Sequence, residues 1–295
     1  MAYDSRILRS SAWLGWQLDS NWATPWLFIL YVLVKPLAGS FMLVCMYWAA
    51  RAATGGRVDP DYLPFLYVSS ACFMLIGGVT SGMSYAVVTD RESHGMLKFI
   101  RISPARLQTY LLGRGLSRAG QATVGAVMTI TIGLLVFPEL RGALARDGIA
   151  WHWLLLYILA GTGMVVALGL LLAGAVLNIS RYGMFLSDGV AGVLCLLSGA
   201  VFPIGVLPGW LRPFSLALPT TYWLEGMRRA LLGVPGGQAT ADGVMASPLT
   251  AWGHGHLALA LLASTLALGV TAHVFFRWNE RRAWLRGKYD DTSGN

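Results

Sequence analysis

Six long, mostly apolar runs dominate the chain and restrict what it can fold into. They lie at residues 25–48, 62–89, 107–137, 151–178, 182–202 and 255–278. A helix of about 20 apolar residues crosses the hydrocarbon core of a bilayer. None of the runs alternates like a barrel strand, and only helices or closed barrels satisfy the backbone in lipid. The sequence therefore predicts an all-α integral membrane protein with six transmembrane helices.

The composition agrees with a lipid environment. Of the 295 residues, 56% are hydrophobic and only 12% are charged, whereas soluble domains carry about 25% charged residues. The net charge of +8 is also a feature of nucleic-acid-binding proteins. Here the basic residues lie between the apolar runs, where they orient a membrane protein. We therefore expect membrane lipids, and no nucleic acid, as partners.

The distribution of lysine and arginine predicts the orientation. With six spans, both termini lie on the same side of the membrane. The segments on that side carry fourteen lysines and arginines, and the segments on the other side carry seven. Because positive residues concentrate on the cytoplasmic side, we expect a multi-pass protein of the cell (inner or plasma) membrane with both termini in the cytoplasm.

Three regions follow from this layout. Residues 1–24 place Ile7, Leu14 and Leu18 near one helical face, which predicts an amphipathic helix in the cytoplasmic headgroup layer. A frayed tail is the alternative. Residues 25–278 form the six-span transmembrane domain, and residues 279–295 form a cytoplasmic tail.

The apolar stretch over residues 195–229 is unsuited to one continuous helix. Each proline in it removes a backbone donor and clashes with the preceding turn. In the predicted orientation this broken stretch lies at the outer face of the membrane. Its prolines are Pro203, Pro208, Pro213 and Pro219.

A second distinctive pattern lies between the second and third runs. Asp90 and Glu92 precede a set of apolar and basic residues that ends at Pro104. A helix over residues 92–101 would have one apolar side, with acidic residues at its amino end, where the helix dipole favours negative charge. Such a helix, joined to two spans, is suited to receive force from a docking protein. An amphipathic loop on the membrane surface is the alternative.

Both segments resemble landmarks of the type-2 ABC exporter permeases. The first has the order Glu92, Gly95, Leu97, Ser103-Pro104 and Leu112-Gly113. The second has the order Ser198-Gly199, Phe202-Pro203, Leu207-Pro208-Gly209-Trp210-Leu211, Pro219-Thr220-Thr221-Tyr222 and Glu225-Gly226-Met227-Arg228. The resemblance extends over essentially the whole chain and is closest to the drug-resistance and nodulation branch, which includes daunorubicin-type exporters.

The resemblance implies a role for each segment. The first would be a coupling helix that contacts a cytoplasmic ATPase through Glu92, Gly95, Met96, Leu97, Phe99, Ile100 and Arg101. The second would be a re-entrant pair of short outer helices between spans five and six, formed by Phe202, Pro203, Leu207, Pro208, Trp210, Pro219, Thr221, Tyr222, Glu225 and Arg228. From spacing alone, Glu225 with Arg228 and Arg229 predicts a local salt bridge. Exposed pairs of this kind contribute only about 0.3–0.5 kcal/mol.

The resemblance also implies partners. These are two copies of an ABC ATPase subunit and a second permease subunit, in a homodimer or with a paralogue. The chain has no GxxxxGK[ST] phosphate loop, so ATP and Mg²⁺ would bind to the partner. We expect no cofactor, no metal and no catalytic residue in this chain.

The expected function is the permease subunit of an ATP-driven ABC exporter. It would move an amphipathic drug, lipid or lipid-linked glycan out of the cytoplasm or inner leaflet, a direction that rests on the resemblance. An integral-membrane lipid-modifying enzyme is the alternative, for which Asp188, Glu225, His254 and His256 show no catalytic spacing. An ion-coupled carrier is a third class, and it usually has charged residues in several spans.

One residue departs from the family pattern. The first span often carries a polar residue, commonly glutamine, before a proline, and here the pair is Lys35-Pro36. Lys35 is about 15 Å along the helix from Pro25, near the middle of the bilayer. A lysine there costs about 2.5–3.5 kcal/mol. It is a pathway residue that contacts an anionic or polar substrate group, a structural lysine paired with backbone carbonyls freed by Pro36, or a lysine that snorkels to the interface because the span boundary lies elsewhere.

Overall fold

The computed structural model describes residues 2–20, 25–179, 182–233 and 247–289. Every regular element in these ranges is helical. The α-helices are α1 (Ala2–Ser20), α2 (Pro25–Ala53), α3 (Tyr62–Glu92), α4 (Leu97–Ile102), α5 (Leu107–Val136), α6 (Pro138–Asp147), α7 (Trp151–Leu177), α8 (Gly183–Leu197), α9 (Arg212–Ala217), α10 (Pro219–Leu232) and α11 (His254–Leu285), with a 3-10 helix at Ile204–Val206.

Four of the described helices, α3, α5, α7 and α11, are long and apolar enough to cross a membrane. They correspond to the second, third, fourth and sixth apolar runs. The prediction of an all-helical membrane protein is therefore confirmed at this level. The last run continues as a helix to Leu285, beyond the predicted end at residue 278, because the basic residues of its last two turns remain compatible with a helix outside the apolar layer.

The fifth run differs from its prediction. The predicted span covers residues 182–202, but α8 ends at Leu197 and has only 15 residues, or about 22 Å of helix. The chain turns at Gly199, whose φ of +75° is left-handed and therefore strained for residues with a side chain. Pro203 follows and prevents the helix from resuming.

The centre of the bundle is α3, which packs against α2, α5, α7 and α8. Small residues let its neighbours approach closely. A Cβ at Gly133 of α5 would overlap with the ring of Tyr67 on α3, and the Tyr67 hydroxyl donates a hydrogen bond to the carbonyl oxygen of Thr129 at 2.8 Å. The buried hydroxyl is thus satisfied by the helix it packs on, as a buried polar group requires.

The first helix lies along α5. Gly113 of α5 faces Leu8 and Ser11 of α1, and Asp19 pairs with Arg118 at 2.7 Å between carboxylate and guanidinium. Burial raises the pKa of the Asp19 carboxyl above its ordinary value, although Arg118 acts in the opposite direction. The large apolar side chain of Trp13 on α1 stays exposed.

Candidate functional site

The connection between α3 and α5 holds the predicted coupling helix, and the structure changes its bounds. The predicted helix over residues 92–101 is wrong at its amino end, because Glu92 is the last residue of α3 and α4 begins only at Leu97. The backbone amide of Met96 donates to the carbonyl of Asp90 at 2.8 Å, and Gly95 has a left-handed φ of +60°. This arrangement ends a helix and reverses the chain. We call residues 93–106 the coupling segment.

The short helix of the coupling segment has two faces. Leu97 is buried in the bundle core, and Ile100 packs against that core. Phe99 and Ile102 are 61% and 81% exposed, and Lys98, directly before Phe99, is also exposed. The side chain of Arg101 lies outside the described residues. An exposed apolar surface next to a basic residue, on an anchored helix, is suited to contact another protein.

A buried polar cluster lies where α3 ends. Asp90 was expected at the amino end of the coupling helix, but it is fully buried near the end of α3. Its Oδ2 accepts a hydrogen bond of 2.8 Å from the hydroxyl of Tyr110 on α5, and its Oδ1 lies 3.7 Å from Arg114 and 3.5 Å from His94. A buried carboxylate requires such partners. The cluster therefore ties the end of α3 to the start of α5.

The neighbouring arginine ties α3 to a third helix. Arg91 is buried, and its guanidinium donates to the carbonyl oxygen of Ile179, two residues after the end of α7, at 2.9 Å. Carbonyls at a helix end have no intrahelical partner, and a cation there is stabilised by the helix dipole. The ends of α3, α5 and α7 that adjoin the coupling segment are thus joined by charged hydrogen bonds.

The proline-broken stretch forms three short helical pieces. Pro203 precedes the 3-10 helix and Pro208 follows it, while Pro219 occupies the first turn of α10. The backbone between them is held by side chains, since the Arg212 guanidinium donates to the carbonyls of Leu207 at 2.9 Å and Gly205 at 2.7 Å. We call residues 198–232 the cap segment.

Two other predicted residues fasten α9 to α10. The Thr221 hydroxyl donates to the carbonyl of Ser215 at 2.7 Å, and the Tyr222 hydroxyl donates to the carbonyl of Leu216 at 2.6 Å. Leu207 is buried in a small separate core with Phe202 packed against it. Trp210, in contrast, is 71% exposed.

The predicted salt bridge in the cap segment is present, but it is not exposed. Glu225 pairs with Arg228 at 2.7 Å and with Arg229 at 2.8 Å, and its side chain is only 1% exposed. Arg228 also donates to Ser69 of α3 at 3.0 Å and to the carbonyl of Gly199 at 2.9 Å. The weak surface pair that spacing suggested is therefore a buried network between the cap segment and the bundle centre.

The other arginine of this network reaches the chain before α11. The Arg229 guanidinium donates to the backbone carbonyls of Leu249 and Trp252. These bonds satisfy charge that a low-dielectric interior would otherwise penalise. One acidic residue and two arginines thus hold the cap segment to both the bundle centre and the last helix.

Lys35 lies within α2, one residue before the proline inside that helix. Its side chain lies outside the described residues. The proposed pathway contact therefore stays a prediction.

Sequence reasoning missed one contact of a carboxylate between α3 and α8. The hydroxyl of Tyr85 on α3 donates to the carboxylate of Asp188 on α8 at 2.6 Å, and one residue earlier on each helix Ser187 donates to Ser84 at 2.8 Å. Asp188 is exposed on the surface of the chain. The sequence did contain a sign of this contact, since Asp188 is an aspartate inside the fifth apolar run. An ionisable residue within a membrane-spanning segment indicates a functional site.

Three of the four polar residues considered for an enzyme have contacts that account for them. Glu225 pairs with arginines, Asp188 accepts from Tyr85, and the ring of His254 stacks on Trp153 with centroids 5.1 Å apart. Among the described residues there is no group of three or more histidine, cysteine or acidic residues that could hold a metal ion.

Comparison with known proteins gives the following similarities. Residues 11–232 match the ABC-2 type transporter family, a range that includes both the coupling segment and the cap segment. Nodulation protein J of Rhizobium meliloti (strain 1021) is 28% identical over 206 residues, covering 63% of this chain and 76% of that protein. Nodulation protein J of Rhizobium leguminosarum bv. viciae is 27% identical over 206 residues, covering 63% and 77%.

A third relative has a name from drug resistance. The probable doxorubicin resistance ABC transporter permease protein DrrC of Mycobacterium tuberculosis (strain CDC 1551 / Oshkosh) is 24% identical over 225 residues. The alignment covers 74% of this chain and 75% of that protein.

Proposed function

The chain belongs to the ABC-2 type transporter family and is a transmembrane subunit of an ABC exporter; from this premise we propose that a separate cytoplasmic ATPase drives it. The ATPase would be present in two copies and would bind ATP and Mg²⁺. A second permease subunit, identical or paralogous, would complete the pathway. The family match supports this assembly.

We propose six spans, with α2 as the first and α8 as the fifth. The four helices long and apolar enough to cross a membrane would be the others. Because α8 is about 22 Å long, the first part of the cap segment would complete the fifth crossing. Backbone that is not helical is tolerated at membrane depth where protein shields it, and the contacts of Arg212 with backbone carbonyls provide such shielding. The excess of basic residues on one side supports cytoplasmic termini in the cell membrane.

The coupling segment would receive the motion of the ATPase. The observation that carries this proposal is the two-faced α4, whose Leu97 is held in the core while Phe99 and Ile102 project outward. A force on α4 would reach α3 and α5 through Asp90, and α7 through Arg91. Glu92 and Met96 would lie at the edge of this contact surface and not at its centre.

The cap segment would close the far end of the pathway. Its buried Glu225 network joins it to α3 through Ser69, the same helix that ends at the coupling segment. A rigid α3 would therefore transmit displacement from one end of the bundle to the other. Opening of the cap would then follow from movement of α3 and would not require nucleotide to bind to this chain.

The substrate would be amphipathic, such as a drug, a lipid or a lipid-linked glycan. The names of the relatives, which refer to doxorubicin resistance and to nodulation, support this class. Asp188 with Tyr85, and Lys35 on α2, are the ionisable positions that we propose for contact with polar groups of the substrate.

A matched pair of phenylalanines tests the coupling proposal. Phe99 on α4 and Phe214 on α9 are similarly exposed, at 61% and 60%, but lie in the coupling and cap segments respectively. An aromatic anchor at an interface contributes about 2 kcal/mol or more, so we expect Phe99→Ala to weaken association with the co-isolated ATPase about thirtyfold. Phe214→Ala should leave it unchanged.

The measurement is co-purification followed by ATP-driven uptake in inverted vesicles. An equal loss of ATPase association in Phe99→Ala and Phe214→Ala would contradict the assignment of α4 as the coupling surface. Vectorial transport by vesicles that contain this chain alone would contradict the need for a partner ATPase.

A further inference from the structure

A groove between α7 and α11 is a feature of the described surface that the transport proposal does not use. Its volume is about 530 Å³, and its walls include Gly163, Ala167, Thr265, Leu266 and Gly269. This volume lies within the range of about 300–1,000 Å³ for small-molecule sites. The groove opens on the side of the bundle where α11 exposes apolar side chains, so in a membrane it faces lipid.

The groove exists because two glycines leave room at this level. A Cβ added at Gly269 would meet nothing within 4 Å, and one at Gly163 would meet only Thr265, at 3.9 Å. Nearer the coupling segment the same two helices are in tight contact, since a Cβ at Gly174 would lie 3.2 Å from the backbone of Phe276. The separation is therefore local.

The length of the groove corresponds to one leaflet. Along α11 it extends from Leu262 to His273, which is about 16 Å of helix, and half of a hydrocarbon core about 30 Å thick is about 15 Å. Inside it, Oγ1 of Thr265 is buried and has no hydrogen-bond partner within the described part of the chain. An acyl chain would meet the apolar walls of the groove.

One end of the groove is polar and basic. His273 Nδ1 lies 2.8 Å from Nε2 of Gln108, at the start of α5, so this end lies near the coupling segment. Arg277 and Arg281 follow on the same face of α11 at four-residue intervals, and both are exposed. Glu280, between them, already has an interaction partner. Basic residues beside a pocket between membrane helices favour an anionic headgroup.

We propose that this groove binds an anionic phospholipid from the leaflet adjoining the coupling segment. One acyl chain lies along the glycines, and the phosphate lies beside His273, Gln108 and Arg277. The inference depends on the groove and its charges, and not on which substrate the exporter moves. The bound lipid would hold the ends of α5 and α11 together next to the coupling segment.

The test uses the purified full chain in nanodiscs of phosphatidylglycerol or phosphatidylcholine. A phosphatidylglycerol with a photoactivatable acyl chain should cross-link to wild-type peptides that contain Leu266 or Gly269. Gly269→Leu fills the groove and should lower cross-linking about tenfold, the loss expected when two methylene groups are excluded. The control Ala267→Leu adds the same side chain at an exposed position of α11 and should have no effect.

Arg277→Gln tests the headgroup. A basic residue near an anionic surface contributes about a fivefold preference, so the preference for phosphatidylglycerol over phosphatidylcholine should fall by about that factor. Equal labelling by both lipids in the wild type would overturn the proposal. So would cross-links outside the groove, or a Gly269→Leu variant that labels normally but changes oligomeric state, which would make the groove an interface between copies. Because the wild-type cross-link position is itself decisive, misfolding of a variant leaves the test valid.

Discussion

The buried network of Glu225 gives the sharpest prediction about the cap segment. Substituting Glu225 with Ala removes the carboxylate from between two guanidinium groups that remain 3% and 6% exposed. Breaking a buried ion pair by removing one partner costs about 3–5 kcal/mol, because the remaining charge is buried without compensation. We expect Glu225→Ala to lower the free energy of unfolding by an amount in that range. The proximity of the two like charges of the arginines should increase this loss.

The chain contains a matched exposed pair as a control. Arg146 lies 3.0 Å from Asp61, and both side chains are more than half exposed. Exposed pairs contribute a median of about 0–1 kcal/mol, so Arg146→Ala should change the unfolding free energy little. The two substitutions each remove one member of an ion pair and differ mainly in burial.

The assay is reversible unfolding by sodium dodecyl sulfate in mixed micelles, followed by intrinsic tryptophan fluorescence. Limited proteolysis of the native protein would show whether the cap segment detaches first. A Glu225→Ala loss no larger than that of Arg146→Ala would refute the reasoning. It would mean that the two arginines find alternative partners and that the network does not hold the cap segment.

Three further predictions test other parts of the structure. A Cβ at Gly161 would overlap with the indole of Trp223, so Gly161→Ala should destabilise the chain by about 1–3 kcal/mol. A Cβ at Gly163 has room, so Gly163→Ala should stabilise its helix by up to about 1 kcal/mol. Unfolding in detergent compares the two variants. Asp188→Asn should lower export of cationic amphiphiles more than that of neutral ones in a substrate panel, since only the cations lose a charge partner; equal losses would make the residue structural. Because burial raises the pKa of Asp19, the docking of α1 on α5 should be strongest below the ordinary carboxyl pKa of about 3.9 and should weaken as the pH rises through the raised pKa. Tryptophan fluorescence should follow this pH dependence. Asp19→Asn should abolish it.

Local sequence determined the helical membrane fold and the positions where helices break. Apolar length and composition identify spans because lipid leaves the backbone no partner outside a helix. Pro203, Pro208 and Pro219 lie at helix boundaries because a proline removes a backbone donor and clashes with the preceding turn. Pro36, however, lies inside the continuous helix α2. The ordered motifs of the coupling and cap segments also sufficed to identify the family.

Only the tertiary structure decided which polar residues are buried and what they contact. Spacing paired Glu225 with its arginines but left them at the surface, since burial depends on α3, α10 and α11 meeting there. Asp90 was predicted at the amino end of the coupling helix, whereas it lies near the end of α3, where Tyr110 and Arg114, about twenty residues away along the chain, contact it. The contact between Tyr85 and Asp188 and the groove at Gly269 likewise arise between distant segments. Periodicity and composition report the preferences of neighbouring residues, and these four features are set by how separate helices pack.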